Sequence, residues 1–151
     1  MLETKKQIDN EDDIGYLIWK IMKFWQRGKH RILDEYGITA SQMEVMGAIY
    51  KRKNDRNEVT QILLSQDTDI DPMTVSTIIR NLQKKGLITR KESETDTRAR
   101  VVELTEAGQE LFEKAVKKVK KEHQQLYRNI DTKALRTQLC ILLDELNEQR
   151  K

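Results

Sequence analysis

A mainly α-helical fold carrying one small β-hairpin is what this sequence predicts, on three observations. Of 151 residues, 37% are hydrophobic and 35% charged, with one Pro and six Gly, a balance that favours helix-rich globular structure over disorder or a disulfide scaffold. Apolar residues recur at helical offsets over most of the chain. Two short β-branched or alternating runs, Leu87 to Lys91 and Arg100 to Leu104, flank the polar segment 92–99, which is the pattern of a hairpin.

Residues 1–10 are polar, and Ile14, Leu17, Ile18, Ile21, Met22 and Trp25 then share one helix face. A helix over about 11–36 is expected, stopped by Gly37. At about 39 Å it is too long to pack within one small core, so part of it should meet another subunit. Thr39, Ala40, Ser41 and Gln42 form a capping box that opens a second helix running to about Arg52. Lys53 to Asn57 reads as a loop, after which Thr60 caps a short third helix carrying Ile62, Leu63 and Leu64. Asp71-Pro72 starts a fourth helix, because Asp accepts the orphan N–H bonds and Pro suits the first helical position. Val75, Ile78, Ile79 and Leu82 form its buried stripe, and Gly86 ends it. Beyond the hairpin, Thr105 opens a long helix with Phe112, Val116, Val119, His123, Leu126 and Ile130 at coiled-coil-like spacing. Asp131 caps a last helix bearing Leu135, Leu139, Leu142, Leu143 and Leu146.

Helix three, the connection Thr68 to Ile70 and helix four have the lengths of a helix-turn-helix, whose second helix can enter the DNA major groove. The outer face of that helix offers the small hydroxyls of Thr74, Ser76 and Thr77, together with Arg80 and Asn81, which can hydrogen-bond base edges or phosphates. Lys84, Lys85, Arg90, Lys91, Arg98 and Arg100 cluster around the hairpin, and Arg98 near its tip suits the negative potential of a narrow minor groove. A net charge of +3 and a pI of about 8.9 are compatible with nucleic acid but do not identify it. The residues alone leave two readings open: a DNA-binding protein, or a winged-helix protein-interaction module whose charges are simply solvated. The expected organisation is an N-terminal arm and dimerisation helix at 1–36, a winged helix-turn-helix lobe at 37–104, and C-terminal dimerisation helices at 105–151.

Other function classes find little support. The one cysteine, Cys140, excludes an intramolecular disulfide and a Cys-rich zinc site, and its place in the leucine-rich last helix assigns it to packing. His30 and His123 fit no metal-ligand spacing, so neither a metal nor another cofactor is expected. No nucleophile-base arrangement or glycine-rich phosphate loop is present, so no catalytic residues are expected and the chain is not read as an enzyme. No apolar run of about 18 residues and no signal-peptide core occur, so the expected location is cytoplasmic, without a membrane. Trp19, Met22, Trp25, Tyr36 and Met43 read as ordinary core, the alternative being the lining of an effector cavity. Lys117 to Lys121 reads as a solvated face.

The stretch VTQILLSQDTDIDPMTVSTIIRNLQKKGLITR at 59–90, followed by DTRARVVELTEAG at 96–108, resembles the helix-turn-helix and wing of the multiple antibiotic resistance regulator (MarR) family. The specific part is Asp96-x-Arg98, then Leu104-Thr105 and Gly108, and with GITASQ at 37–42 and helical arms at both ends the resemblance covers nearly the whole chain. It implies a homodimer whose first and last helices interlock, a recognition helix in each major groove and wings reaching the flanking minor grooves. The implied partners are double-stranded DNA and a second copy of the chain, with room for a small-molecule effector and no cofactor. The implied activity is transcriptional regulation, most often repression at an inverted-repeat operator. Matched position by position, Met73, Thr74, Ser76, Thr77, Arg80 and Asn81 fall on the reading part of the recognition helix, and Arg98 on the wing arginine. Lys84 and Arg100 add cations to this DNA-binding set, and Asp96 matches the aspartate that holds the wing. Where the family usually has Leu-Ala in helix three, this chain has Leu64-Ser65, a small residue that keeps the packing. Oxidant-sensing members commonly carry a cysteine near the N-terminal helix, where this chain has none.

Overall fold

A computed structural model describes residues 12–151, and the expectations for residues 1–11, the polar leader and the first residue of the N-terminal helix, lie outside the described residues. In order, the elements are α1 (Asp12–Glu35), α2 (Ala40–Lys51), α3 (Gln61–Thr68), α4 (Pro72–Lys84), β1 (Ile88–Glu92), β2 (Arg100–Leu104), α5 (Glu106–Leu126) and α6 (Thr132–Gln149). The chain divides into two compact units, one ending at Ala115 and the other spanning Val116–Lys151.

The helix starts follow from their caps. Thr39 accepts the Gln42 N–H at 3.1 Å while the Gln42 side chain accepts the Thr39 N–H at 3.0 Å, closing both halves of the capping box. Thr60 accepts from Leu63 N–H at α3, Asp71 from Thr74 N–H ahead of Pro72 at α4, and Asp131 from Ala134 N–H at α6. Gly37, which ends α1, and Gly86, which follows α4, sit at φ 67° and 73°, the left-handed region where a Cβ is penalised.

In the first unit α2, α3 and α4 pack on one another, α2 and α3 also meet β2, and α4 meets β1. Leu33 of α1, Val45 and Met46 of α2, Leu64 of α3, Val75, Ile79 and Leu82 of α4 and Val102 of β2 are fully buried at the centre. Each such side chain contributes about 1.5–3 kcal/mol on burial, so one core ties five elements together. The hairpin is antiparallel, pairing Ile88 with Leu104 and Arg90 with Val102, and its first strand lies one residue later than its sequence pattern indicates. An isolated bridge beside the hairpin was not legible: Val59 O accepts the Val102 N–H at 2.9 Å and Thr60 bridges Val101. One bridging residue carries no alternating pattern to read.

The hairpin passes into α5 through Thr105. Its N–H donates to Leu87 O at 3.0 Å, and its hydroxyl donates to Gly86 O at 2.7 Å and accepts from Gly108 N–H at 3.0 Å.

In the second unit α5 ends at Leu126, short of the Ile130 to which its apolar spacing extends, because Tyr127 to Ile130 form a turn ahead of the Asp131 cap. Every residue of α6 is exposed, including Cys140, which sequence reasoning placed in packing. Among the described residues nothing buries that helix. On α1 the stripe is likewise exposed, Ile14 at 61% and Ile21 at 60%, with Trp25 half-buried.

Candidate nucleic-acid interface

Helix α4 divides into two faces. Val75, Ile78, Ile79 and Leu82 are buried, whereas Met73, Thr74, Thr77, Arg80, Asn81 and Lys84 are exposed and Ser76 is half-buried. Met73 is 82% exposed in the first turn, an apolar side chain held out in water next to the helix N-terminus. Its neighbours are oriented: Thr74 Oγ1 donates to Asp71, Thr77 Oγ1 donates to Met73 O at 3.2 Å, and Arg80 Nε donates to Ser76 O at 3.3 Å. The hydroxyl oxygens stay available as acceptors, and Arg80 keeps its terminal nitrogens for further bonds. The Thr74 hydroxyl, followed by its N–H, holds Asp71 below the ordinary carboxylate range.

The turn before α4 is set by residues that look unremarkable in sequence. Asp69 takes φ 56°, an αL position that Asp tolerates through its short polar side chain. Ser65 Oγ donates to Ile70 O, and Thr68 Oγ1 donates to Leu64 O at 2.7 Å. Ser65 therefore does more than stay small: its hydroxyl fastens the helix-turn-helix connection.

At the hairpin tip Asp96 Oδ1 accepts the Arg98 N–H at 3.0 Å and Asp96 O accepts the Ala99 N–H at 3.0 Å, which shapes the turn carrying exposed Arg98. Arg100, half-buried, turns its guanidinium back to Thr97 O at 3.2 Å and Ala99 O at 3.4 Å and lies 3.9 Å from Glu92. The cations around the hairpin thus separate. Lys84 and Arg98 are exposed, Arg90 is half-buried, Lys91 lies 3.9 Å from Glu103, and Lys85 leaves the cluster to donate to Gly37 O and Gln42 Oε1. Lys85 ties the end of α4 to the start of α2, a role that spacing along the sequence does not reveal.

Sequence reasoning missed Arg52, Asp67, Glu58 and Ser93. Arg52 at the end of α2 donates from Nη2 at 2.9 Å and from Nε to the two carboxylate oxygens of Asp67 on α3, and from Nη1 at 3.1 Å to Asp55. The Asp67 hydrogen bond raises Arg52 above its ordinary value, and Arg52 in turn holds Asp67 below the ordinary carboxylate range. A forked Arg-carboxylate pair is directional, so it sets α3 against α2.

Beside this pair opens a cavity of about 710 Å³, lined among others by Lys29, Met43, Lys51, Arg52 and Phe112. Of the aromatic and Met residues considered for an effector cavity, Met43 lines it, while Trp19 and Met22 are exposed. Among the described residues no group of three or more His, Cys, Asp or Glu could hold a metal ion, and no helix is long and apolar enough to cross a membrane.

Residues 27–115 match the family model of the SarA/Rot transcriptional regulators. YdcH, a helix-turn-helix-type transcriptional regulator of Bacillus subtilis, is 32% identical over 107 residues, 71% of this chain and 73% of YdcH. The S. aureus MepR-DNA complex superposes with a TM-score of 0.77 at 25% identity, covering 89% of this chain and 96% of MepR. A MarR-family regulator from Rhodococcus sp. RHA1, 20% identical over 87% of this chain and 90% of its own, shares the fold with a TM-score of 0.74. With its two-faced α4, its hairpin and these matches taken together, the chain belongs to the SarA/Rot transcriptional regulators, a family of MarR-type winged-helix proteins.

Proposed function

We propose that this transcriptional regulator binds DNA as a homodimer, reading an inverted-repeat operator with α4 and flanking minor grooves with the hairpin wing. The observation that carries the reading is the division of α4, whose apolar stripe is sealed in the core while Thr77, Arg80, Asn81 and Lys84 face outward on a helix anchored at both ends. A rigid helix with an uncovered polar face suits readout of base edges, and exposed Arg98 suits the electrostatics of a narrow minor groove. Met73, Thr74 and Ser76 complete the reading surface, and Asp96 and Arg100 shape the wing. Residues 37–104 form the DNA-binding lobe. The arms, 1–36 and 105–151, supply the dimer contact, since the exposed stripes of α1 and α6 have a second copy as their natural cover.

The cavity beside Phe112 is a place for a small effector, and repression is the sign we assign by likeness to the family. We assign no catalytic role to any side chain, and the cytoplasm as the site of action. The competing reading is a winged-helix interaction module that never reads DNA. Fluorescence polarisation against the protein's own upstream region and a scrambled duplex, at two salt concentrations, separates them. Specific binding that weakens steeply with salt is the expected result, and absence of binding at low salt would support the module.

A further inference from the structure

The wing is held from outside itself. Glu58, half-buried in the connection between α2 and α3, directs both carboxylate oxygens at the base of the hairpin loop. Its Oε1 accepts the Glu94 N–H at 3.0 Å, and its Oε2 accepts the Ser93 hydroxyl. Ser93 is only 5% exposed, and its oxygen already accepts the N–H groups of Thr95 at 3.2 Å and Asp96 at 3.1 Å. With that oxygen so engaged, the Ser93 proton goes to Glu58. Asp96 passes the constraint on, through its carbonyl to Ala99 N–H and its carboxylate to Arg98 N–H, both at 3.0 Å. Next to Glu58, Val59 O accepts the Val102 N–H at 2.9 Å, so the anchor is itself registered against β2.

We propose that Glu58 is a positioning residue for DNA binding: through Ser93 it sets the loop conformation that presents Arg98. The inference rests on the reading of the hairpin as a DNA-contacting wing. An ionised carboxylate accepts without donating, so it can take both an O–H and an N–H at once. A glutamine cannot do the same, because its NH₂ would face either the Glu94 N–H or a serine oxygen that already accepts two bonds. The hydrogen bond from Ser93, then that from Glu94, holds Glu58 below the ordinary carboxylate range, so the acceptor is charged at neutral pH.

The placement makes an unusual sign prediction. A carboxylate that merely sat near DNA would repel phosphates, and removing its charge would tighten binding. A clamp acting through Arg98 gives the reverse. In salt titrations on operator and scrambled duplexes, Glu58→Gln is expected to weaken both by roughly tenfold, since a loosened wing is competent for only part of the time. The double variant should bind no more weakly than Arg98→Ala alone, because without Arg98 there is no contact left for the clamp to present. Ser93→Ala should reproduce the effect, with helical content by circular dichroism unchanged in all variants. If Glu58→Gln binds as tightly as the native protein or tighter, or if its loss adds in full to that of Arg98→Ala, the clamp is overturned. If Arg98→Ala is itself silent, the DNA-contacting wing fails and the clamp falls with it. Loss in Arg98→Ala without loss in Glu58→Gln removes the clamp alone.

Discussion

An alanine methyl at position 108 would lie 1.9 Å from the Leu87 carbonyl oxygen, a distance no packing tolerates. Gly108 is therefore required by the close approach of α5 to the start of the hairpin, and Gly108→Ala should destabilise the fold by about 2 kcal/mol or more. A drop in the urea midpoint with an unchanged slope checks it. Asp67, Asp71 and Glu58 make a second prediction at this scale, because Arg52, Thr74 and Ser93 respectively hold them below the ordinary carboxylate range. Their folded values lie beneath unfolded values of about 4, so their stabilisation is complete above the unfolded value and is lost as pH falls through the folded values. Thermal midpoints should decline from about pH 5 downward, and Asp67→Asn should lower the neutral-pH midpoint while making the acid decline shallower. An Asp67→Asn protein with an unaltered acid profile would contradict the assignment. Residues of this kind mark the limit of reading. Capping residues such as Thr39 and Asp71 act within four positions and are visible in sequence, whereas Arg52 with Asp67, Lys85 with Gly37 and Glu58 with Ser93 meet only after folding.

At the scale of elements, α4 and the wing should fail differently. A side chain that hydrogen-bonds a base edge discriminates among sequences, with a good contact worth about 1–3 kcal/mol. Thr77→Ala or Arg80→Ala should accordingly narrow the gap between operator and random DNA. Both side chains are exposed, so the fold should survive. Arg98→Ala should weaken both duplexes together and make the slope against log salt shallower, by roughly one unit for each lost phosphate contact. Equal discrimination by Arg80→Ala and the native protein would take base reading away from α4. The elements themselves were largely legible, since helices announce their period and caps over many residues. The single bridge at Thr60 and the early end of α5 were not: the first is too short for a pattern, and in the second the apolar spacing continues through Ile130 although the Asp131 cap needs the chain to leave the helix.

For the whole molecule the decisive surface is α6, where Leu135, Leu139, Leu142, Leu143 and Leu146 are all exposed in the single chain, Leu143 at 57%. Five leucines on one amphipathic helix are far more apolar surface than a solvated helix needs, and α1 presents a comparable stripe. In the proposed two-fold dimer every contact occurs twice, so removing two leucines from each chain removes four from the interface. At about 1.5–3 kcal/mol for each buried leucine, Leu139→Glu combined with Leu142→Glu would forfeit roughly 6–12 kcal/mol before the cost of burying the new carboxylates. Each 1.4 kcal/mol is about tenfold in dissociation constant, so even the low end of that loss, roughly four decades, moves a nanomolar dimer beyond micromolar concentration. Sedimentation at micromolar protein should therefore show a dimer for the native chain and a monomer for the double variant. The α4 and wing residues lie in the other compact unit and should be unaffected, so the variant should still bind an isolated half-site about as well as the native subunit does. What it should lose is the gain from two half-sites centred about one helical turn, roughly 10 bp, apart. A native chain that sediments as a monomer, or a double variant that binds the full inverted repeat undiminished, would show that the exposed leucines serve some other contact.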